Sequence, residues 1–289
     1  MAFSQIYRPG RCGLSFELFP PKTQAGHAAM LEHLHQLMEY RPDFVTCTYG
    51  AGGSTREKTL EIVSEVKRTF DVPVASHLTC VDSTVPQLRA YLGRAAAAGI
   101  DHIVALRGDP PKGTTEFTPS EGGLRYASEL VGLIREDYPQ FGVVVAGYPE
   151  KHQEAPSMDV DLENLKRKVD AGADVVVTQL FYENFDFFRF RDRCERMGIQ
   201  VPIIPGIMPM TNLSQIRRIS SMCGARLPEA FVWRLQENED PDWQFQVGID
   251  FAIVQVEQLV REGIAGVHFY VLNKSQAASH VMQAVRLPR

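Results

Sequence analysis

The stretch SFELFPPK, Ser15 to Lys22, sets a single carboxylate, Glu17, between Phe16 and Leu18 in a strand-like run that ends at two prolines. A carboxylate is costly to bury in apolar surroundings unless something pairs with it. On a strand, Ser15, Glu17 and Phe19 share one face and Leu14, Phe16 and Leu18 the other. If the apolar set packs outward, Glu17 points inward, where burial raises a carboxyl pKa toward the range that suits a general acid. The alternative is a structural Glu17 paired with a base such as Arg107. The triplet RGD, residues 107–109, offers a cation for an anionic ligand and a carboxylate, Asp109, able to accept from the N–H groups of a heterocycle; an Arg107–Asp109 ion pair reads equally well. His77 suits a general base, a phosphate donor or a satisfied core histidine, and taken alone the last fits best. His152 is open in the same way. GAGGST, residues 50–55, can present backbone N–H groups to a phosphate or simply lead into a capped helix. Asp161, Asn164, Arg167 and Lys168 fall at spacings of three, three and one, a polar stripe that pattern alone would assign to solvent.

These residues sit in an alternation of short β-rich runs and amphipathic segments. Strands are expected over 14–19, 44–49, 72–79, 102–108, 142–148, 174–181, 201–207 and 266–272. Helical patterns separate them, as in EKTLEIVSEVKRTF and DLENLKRKVDAGAD. Uninterrupted strand–helix–strand order implies parallel pairing through right-handed crossovers. Eight strands and about eight helices predict an α/β fold, a (β/α)8 TIM barrel with extra helices. The rival, an open doubly wound sheet, would carry GxGxxG after an early strand, and Gly50, Gly52 and Gly53 have the wrong spacing. The segment 208–265 exceeds one loop and helix, so extra helices are expected at MTNLSQIRRISSM, PEAFVWRL and 242–262. In a closed barrel the chemistry sits at the carboxyl ends of the strands. Thr48 and Tyr49, His77 and Thr79, Arg107 to Asp109, Tyr148, Gln179, and Tyr270 with Asn273 all fall there, and packing does not call for them.

The 289 residues carry a net charge of −5 with no dense Lys/Arg block, which argues against nucleic acid or an anionic membrane as main partner. No apolar run reaches the roughly 18 residues of a spanning helix. The five scattered cysteines fit neither a zinc site nor a disulfide scaffold, and a reduced cytoplasmic protein is expected.

In order along the chain, FELFPPK, TYGAGGST, HLTC, HIVALRGDPP, AGYPEKH, NLKRKVDAGAD, TQLF, PGIMP and HFYVLNK resemble the motifs of methylenetetrahydrofolate reductases, from about residue 14 to 286. The resemblance implies a single FAD-binding barrel without a Rossmann domain, and a ping-pong reaction. NADH or NADPH would reduce the flavin. Methylenetetrahydrofolate would then be reduced to 5-methyltetrahydrofolate, with Glu17 as the acid that opens the imidazolidine ring. Asp109 would hold the pterin near the flavin. Thr48, Tyr49, Ala51, His77, Arg107, Gly108, Asp109, Tyr126, Ala127, Tyr148, His152 and Ala155 would contact the cofactor. The stripe Asp161, Asn164, Arg167 and Lys168 would join them, reversing its assignment to solvent. Gln179 would serve folate and nicotinamide in turn. Two positions depart from the pattern: Leu213 stands where bacterial relatives often have an aromatic, and Lys274 where an Arg is common, so substrate contacts there would be weaker. The resemblance also implies a homo-oligomer, dimer or tetramer, and no C-terminal regulatory domain or S-adenosylmethionine control. A flavoprotein reduced by a partner protein and a non-catalytic folate-binding barrel are the alternative readings.

Overall fold

Valine, with isoleucine and leucine, dominates the apolar residues of the strands because each strand is covered on both faces, by the barrel interior and by the helices. The computed structural model describes residues 2–49, 56–110, 113 and 116–289. It begins with a short helix α1 (Phe3–Ile6) and continues with β1 (Gly13–Leu18), α2 (Gln24–Met38), β2 (Phe44–Cys47), α3 (Arg56–Phe70), β3 (Val74–Thr79), α4 (Val85–Ala97) and β4 (His102–Leu106). Then come α5 (Ala127–Asp137), β5 (Gly142–Gly147), α6 (Met158–Asp170), β6 (Val175–Thr178) and α7 (Asn184–Arg196). The seventh stave is broken into β7 (Ile203–Ile204) and β8 (Gly206–Ile207); α8 (Leu213–Cys223), α9 (Glu229–Gln236), α10 (Pro241–Arg261), β9 (Gly266–Tyr270) and α11 (Gln276–Ala284) complete the chain.

All strand pairs are parallel, in the order β7-β6-β5-β4-β3-β2-β1-β9-β8. β7 pairs with β6 and β8 with β9, so one stave interrupted at Pro205 closes the ring. The expected (β/α)8 barrel is therefore present, with eight staves and nine strands. The strands stop short of several expected ends: residues 48–49, 107–108 and 179–181 lie in the loops that follow. The three helices expected within 208–265 are α8, α9 and α10. Helix α1 was not expected; it is four residues long and leaves little periodicity to read.

The interior divides into layers set by strand parity. Phe44, Ala75, Val104, Val144, Val175 and Ile204 form an apolar floor, and Phe3, Ile6 and Tyr7 plug it from below. Leu14, Phe16 and Leu18 instead join the large cluster between strands and helices, which turns Ser15 and Glu17 inward. Local chemistry fixes the helix starts. Thr84 and Gln87 form a capping box on α4, and Ser157, Asn212 and Asp240 cap α6, α8 and α10. At Gly206 a Cβ would lie 2.2 Å from the Thr178 carbonyl oxygen and 2.6 Å from the Tyr270 ring, so the close approach of staves six, seven and eight requires glycine.

His102 is 2% exposed in this floor, with its ring 4.1 Å from that of Phe3 and neither ring nitrogen hydrogen-bonded. Burial pushes its pKa from 6.5 down to about 4. The folded state therefore disfavours the proton, and this stability is present above pH 6.5 and is lost as pH falls through 4. At pH 4 the loss amounts to about 3 kcal/mol. Denaturant unfolding of His102→Leu should show a drop between pH 7.5 and pH 4 smaller than wild type by about that amount; equal drops would assign the acid sensitivity elsewhere.

Candidate active site

Glu17 projects into the mouth of the barrel and is 8% exposed. Its register partner on β2 is Thr46, whose Oγ1 donates to Glu17 Oε2 at 3.3 Å. Two imidazoles flank the same oxygen. His268 Nε2 lies 3.4 Å away, and His77 Nε2 is 3.1 Å away but off hydrogen-bond alignment, an ionic contact. His268 Nδ1 in turn pairs with Ser15 Oγ at 2.7 Å. Burial alone would raise the carboxyl, as expected from the sequence. The nearby imidazole of His77, the hydrogen bond from His268 and the His268 imidazole itself together outweigh burial and take the Glu17 pKa down to about 2. The expectation of a carboxyl raised by burial is thus reversed: in this network the carboxylate is ionised, between bases able to carry a proton.

A cavity of about 560 Å³ stands over this network. Its walls include His77, Asp109, Tyr148, Gln179 and Tyr270 among apolar residues such as Phe19, Leu106, Val177, Leu180 and Leu272. Gln179 Oε1 accepts from the Leu180 N–H at 2.8 Å, and Tyr270 donates to the Thr178 carbonyl at 2.7 Å. Helix α8 supplies a further wall through Arg218, Ile219, Met222 and Cys223. That helix is tied down by Gln153, which donates to the Met222 carbonyl, and by Arg226, which pairs with Asp186 at 2.6 Å and donates its backbone N–H to Glu150 at 3.0 Å.

A second groove of about 240 Å³ adjoins the first and shares Leu106, Ala146 and Tyr148 with it. Arg107, Tyr126, Ala127, Tyr148, His152, Ala155, Asp161, Asn164, Arg167 and Lys168 all line it. Residues spread over more than sixty positions of sequence thus meet in one place, the stripe of α6 among them. Asp161 accepts from the His152 N–H at 2.9 Å, and His152 packs edge-on against Tyr148 at 4.6 Å. Lys168 donates to the Ala146 carbonyl, and burial takes its amine down to about 8. Arg107 forms a fork with Glu154, both bonds at 2.6 Å, and lies over the Phe117 ring. Its partner is therefore Glu154, and neither Glu17 nor Asp109. Gly108 has φ +90°, the left-handed region.

Other expected residues fall outside both spaces. Thr48 is buried, its Oγ1 without a hydrogen-bond partner among the described residues. Tyr49 receives a hydrogen bond from Arg56. Leu213 opens α8 and packs with the cluster around Leu180 and Tyr182, away from the cavity wall. Lys274 is exposed and lines neither space. Ala51 and the GAGGST loop lie outside the described residues. His268, Ser15, Arg218 and Glu154 were not singled out from the sequence. For His268 a signal existed, because it shares strand parity with Tyr270 and faces Ser15 in register.

A closed parallel barrel with an acid–imidazole network and converging polar groups at its carboxyl end is the active-site architecture of a barrel enzyme. The chain belongs to the methylenetetrahydrofolate reductase family, whose profile matches residues 2–286. It is 41% identical over 271 residues to 5,10-methylenetetrahydrofolate reductase of Escherichia coli K12, covering 92% of this chain and 88% of that protein. It is 38% identical over 293 residues to methylenetetrahydrofolate reductase (NADH) 1 of Arabidopsis thaliana, covering 98% of this chain and 50% of that protein. The chain thus spans about half the length of this plant relative. Among solved structures, a Clostridium thermocellum protein that binds two copies of 5-methyl-5,6,7,8-tetrahydrofolic acid superposes with a TM-score of 0.66 at 15% identity, over 98% of this chain and 96% of that one; it shares the fold.

The ion pairs beside α8 and in the second groove differ in burial. The Asp186 side chain is 1% exposed and takes both Arg189 and Arg226, whereas the Arg107–Glu154 fork is open to solvent at 24% and 42%. Asp186→Ala should cost about 2 kcal/mol and expose the 208–240 segment to limited proteolysis, while Glu154→Gln should cost under ~1 kcal/mol. Equal losses would remove Asp186 from this role.

Proposed function

We propose that this chain is an FAD-dependent reductase that converts 5,10-methylenetetrahydrofolate to 5-methyltetrahydrofolate with NADH or NADPH as electron source. One observation carries the reading. The cavity that holds Glu17, Asp109 and Gln179 runs into a groove lined by Arg107, Arg167 and Lys168 across Tyr148, so a folate site and a cofactor site would touch. Membership of the family supports it.

The groove suits FAD by its donor set. Arg107, Arg167 and Lys168 present cations for a diphosphate, Tyr148 an aromatic face, and Asp161 and Asn164 polar groups for a ribityl or ribose chain. The buried Thr48 Oγ1, without a hydrogen-bond partner among the described residues, is a further polar atom near the mouth. When bound, the flavin supplies hydride chemistry. Everything else falls to the chain. Opening the imidazolidine ring requires a proton at the departing nitrogen. Glu17 Oε2 lies between His77 and His268 and would pass on a proton that the imidazoles hold. Glu17 in this role is a relay, and the low pKa of its carboxyl is then no obstacle, because a buried acid–base cluster shares its protons. Asp109 would accept from pterin N–H groups, and Gln179, with both donor and acceptor, would serve either ligand in turn. The apolar lining keeps water from the electrophilic one-carbon unit. Released 5-methyltetrahydrofolate would supply methyl groups for methionine synthesis.

Purified protein should be yellow, should bleach under anaerobic NADH or NADPH, and should recover its colour with methylenetetrahydrofolate. Bleaching by neither nucleotide would favour reduction by a partner protein. A protein that binds folate but takes up no FAD would be a binding barrel. In Glu17→Gln, bleaching should stay within about twofold of wild type while folate reduction falls by ~10² or more. Parallel loss of both half-reactions would remove the proton-transfer role.

A further inference from the structure

Phe19 is an aromatic residue left 44% exposed on the cavity wall. It shares a strand face with Glu17 and stands two residues further out, about 6–7 Å along the strand direction. Its backbone is held from three sides. The Phe19 N–H donates to Asn273 Oδ1 at 2.7 Å, and the Asn273 side-chain amide donates to the Phe19 carbonyl at 2.7 Å. Together the two bonds imitate one more rung of the β1–β9 ladder beyond the ends of both strands. Asn273 reaches this position from φ +57°, after Leu272 at φ +48°. Asparagine tolerates that conformation better than most residues, and Leu272 itself lines the cavity. On the other side Pro20 follows, which confines Phe19 to extended backbone. A large apolar side chain is thus carried on a fixed backbone at the cavity wall and left 44% exposed.

Leu213, in contrast, packs into the α8 cluster and leaves that wall without a contribution from position 213. Resting on the reading of the cavity as a folate and nicotinamide site, we propose that Phe19, positioned by Asn273, is the aromatic wall that stacks on the flat ring of the bound ligand. This is a role the sequence pattern places at position 213. The ring to be stacked belongs to the folate or to the pyridine nucleotide, and binding measurements separate the two. Stacking of this kind acts in ground and transition states alike, so its loss raises KM and leaves kcat in place.

The test uses flavin-loaded wild type, Phe19→Leu, Phe19→Tyr, Asn273→Ala and Leu213→Ala. Titration calorimetry gives Kd for 5-methyltetrahydrofolate, the concentration dependence of anaerobic bleaching gives Kd for NADH, and steady-state kinetics give KM and kcat. Phe19→Leu keeps an apolar side chain but no ring, and should weaken one or both ligands by roughly twofold to tenfold with kcat within twofold. The ligand that weakens is the one stacked. Phe19→Tyr should retain wild-type affinity, which separates the ring from general packing. Asn273→Ala should raise the same KM with kcat unchanged. Wild-type affinity for both ligands in Phe19→Leu, or a larger loss in Leu213→Ala, overturns the assignment. Wild-type protein that binds NADH but no folate defeats the folate reading, and the NADH arm then decides the role of Phe19 by itself. Binding of neither ligand overturns both.

Discussion

The geometry of the barrel mouth depends on one buried carboxylate balanced between two imidazoles. Glu17 would be costly at 8% exposure without them. With Thr46, His77 and His268 converging on one oxygen, the charge is compensated from three neighbouring strands. That compensation constrains much else. It fixes the inward parity of β1, β2, β3 and β9, and so sends Leu14, Phe16 and Leu18 to the helices. It also sets Ser15 against His268 one layer down. An apolar floor lies beneath the network.

The barrel also explains why two spaces of different character can adjoin. The 560 Å³ cavity is mostly apolar, as a flat substrate requires, and its polar groups are spread around the ring, with His268 and Tyr270 both from β9 and Arg218 from α8. The adjoining groove is built from the loops after β4 and β5 and from one face of α6, where cations gather. Tyr148 belongs to both, because it follows the last residue of β5 at the point where the wall turns outward.

Much of this was legible in the chain. Strand parity placed Glu17 inward before any coordinates, and the ordered polar strand ends announced a barrel mouth. What the sequence could not show was partnership. Arg107 has one carboxylate within two residues, Asp109, yet it pairs with Glu154, forty-seven positions away, because the β5 loop folds back over β4. The stripe on α6 looks like a solvated face on a helical wheel and becomes a groove wall only when α5 and the β4 loop stand opposite. The sign of the Glu17 shift was missed for the same reason: burial can be read from neighbours in sequence, whereas the imidazole 251 residues away cannot. Position 213 was read from family pattern and turns out to serve the packing of α8.

The interruption at Pro205 has one more meaning. Every other stave offers an unbroken run of backbone donors and acceptors, while this one gives two residues to each neighbour. A hoop is least stiff where it is least bonded. The wall is therefore least bonded at the stave that precedes α8, and only β9 separates that seam from the strand that carries Glu17.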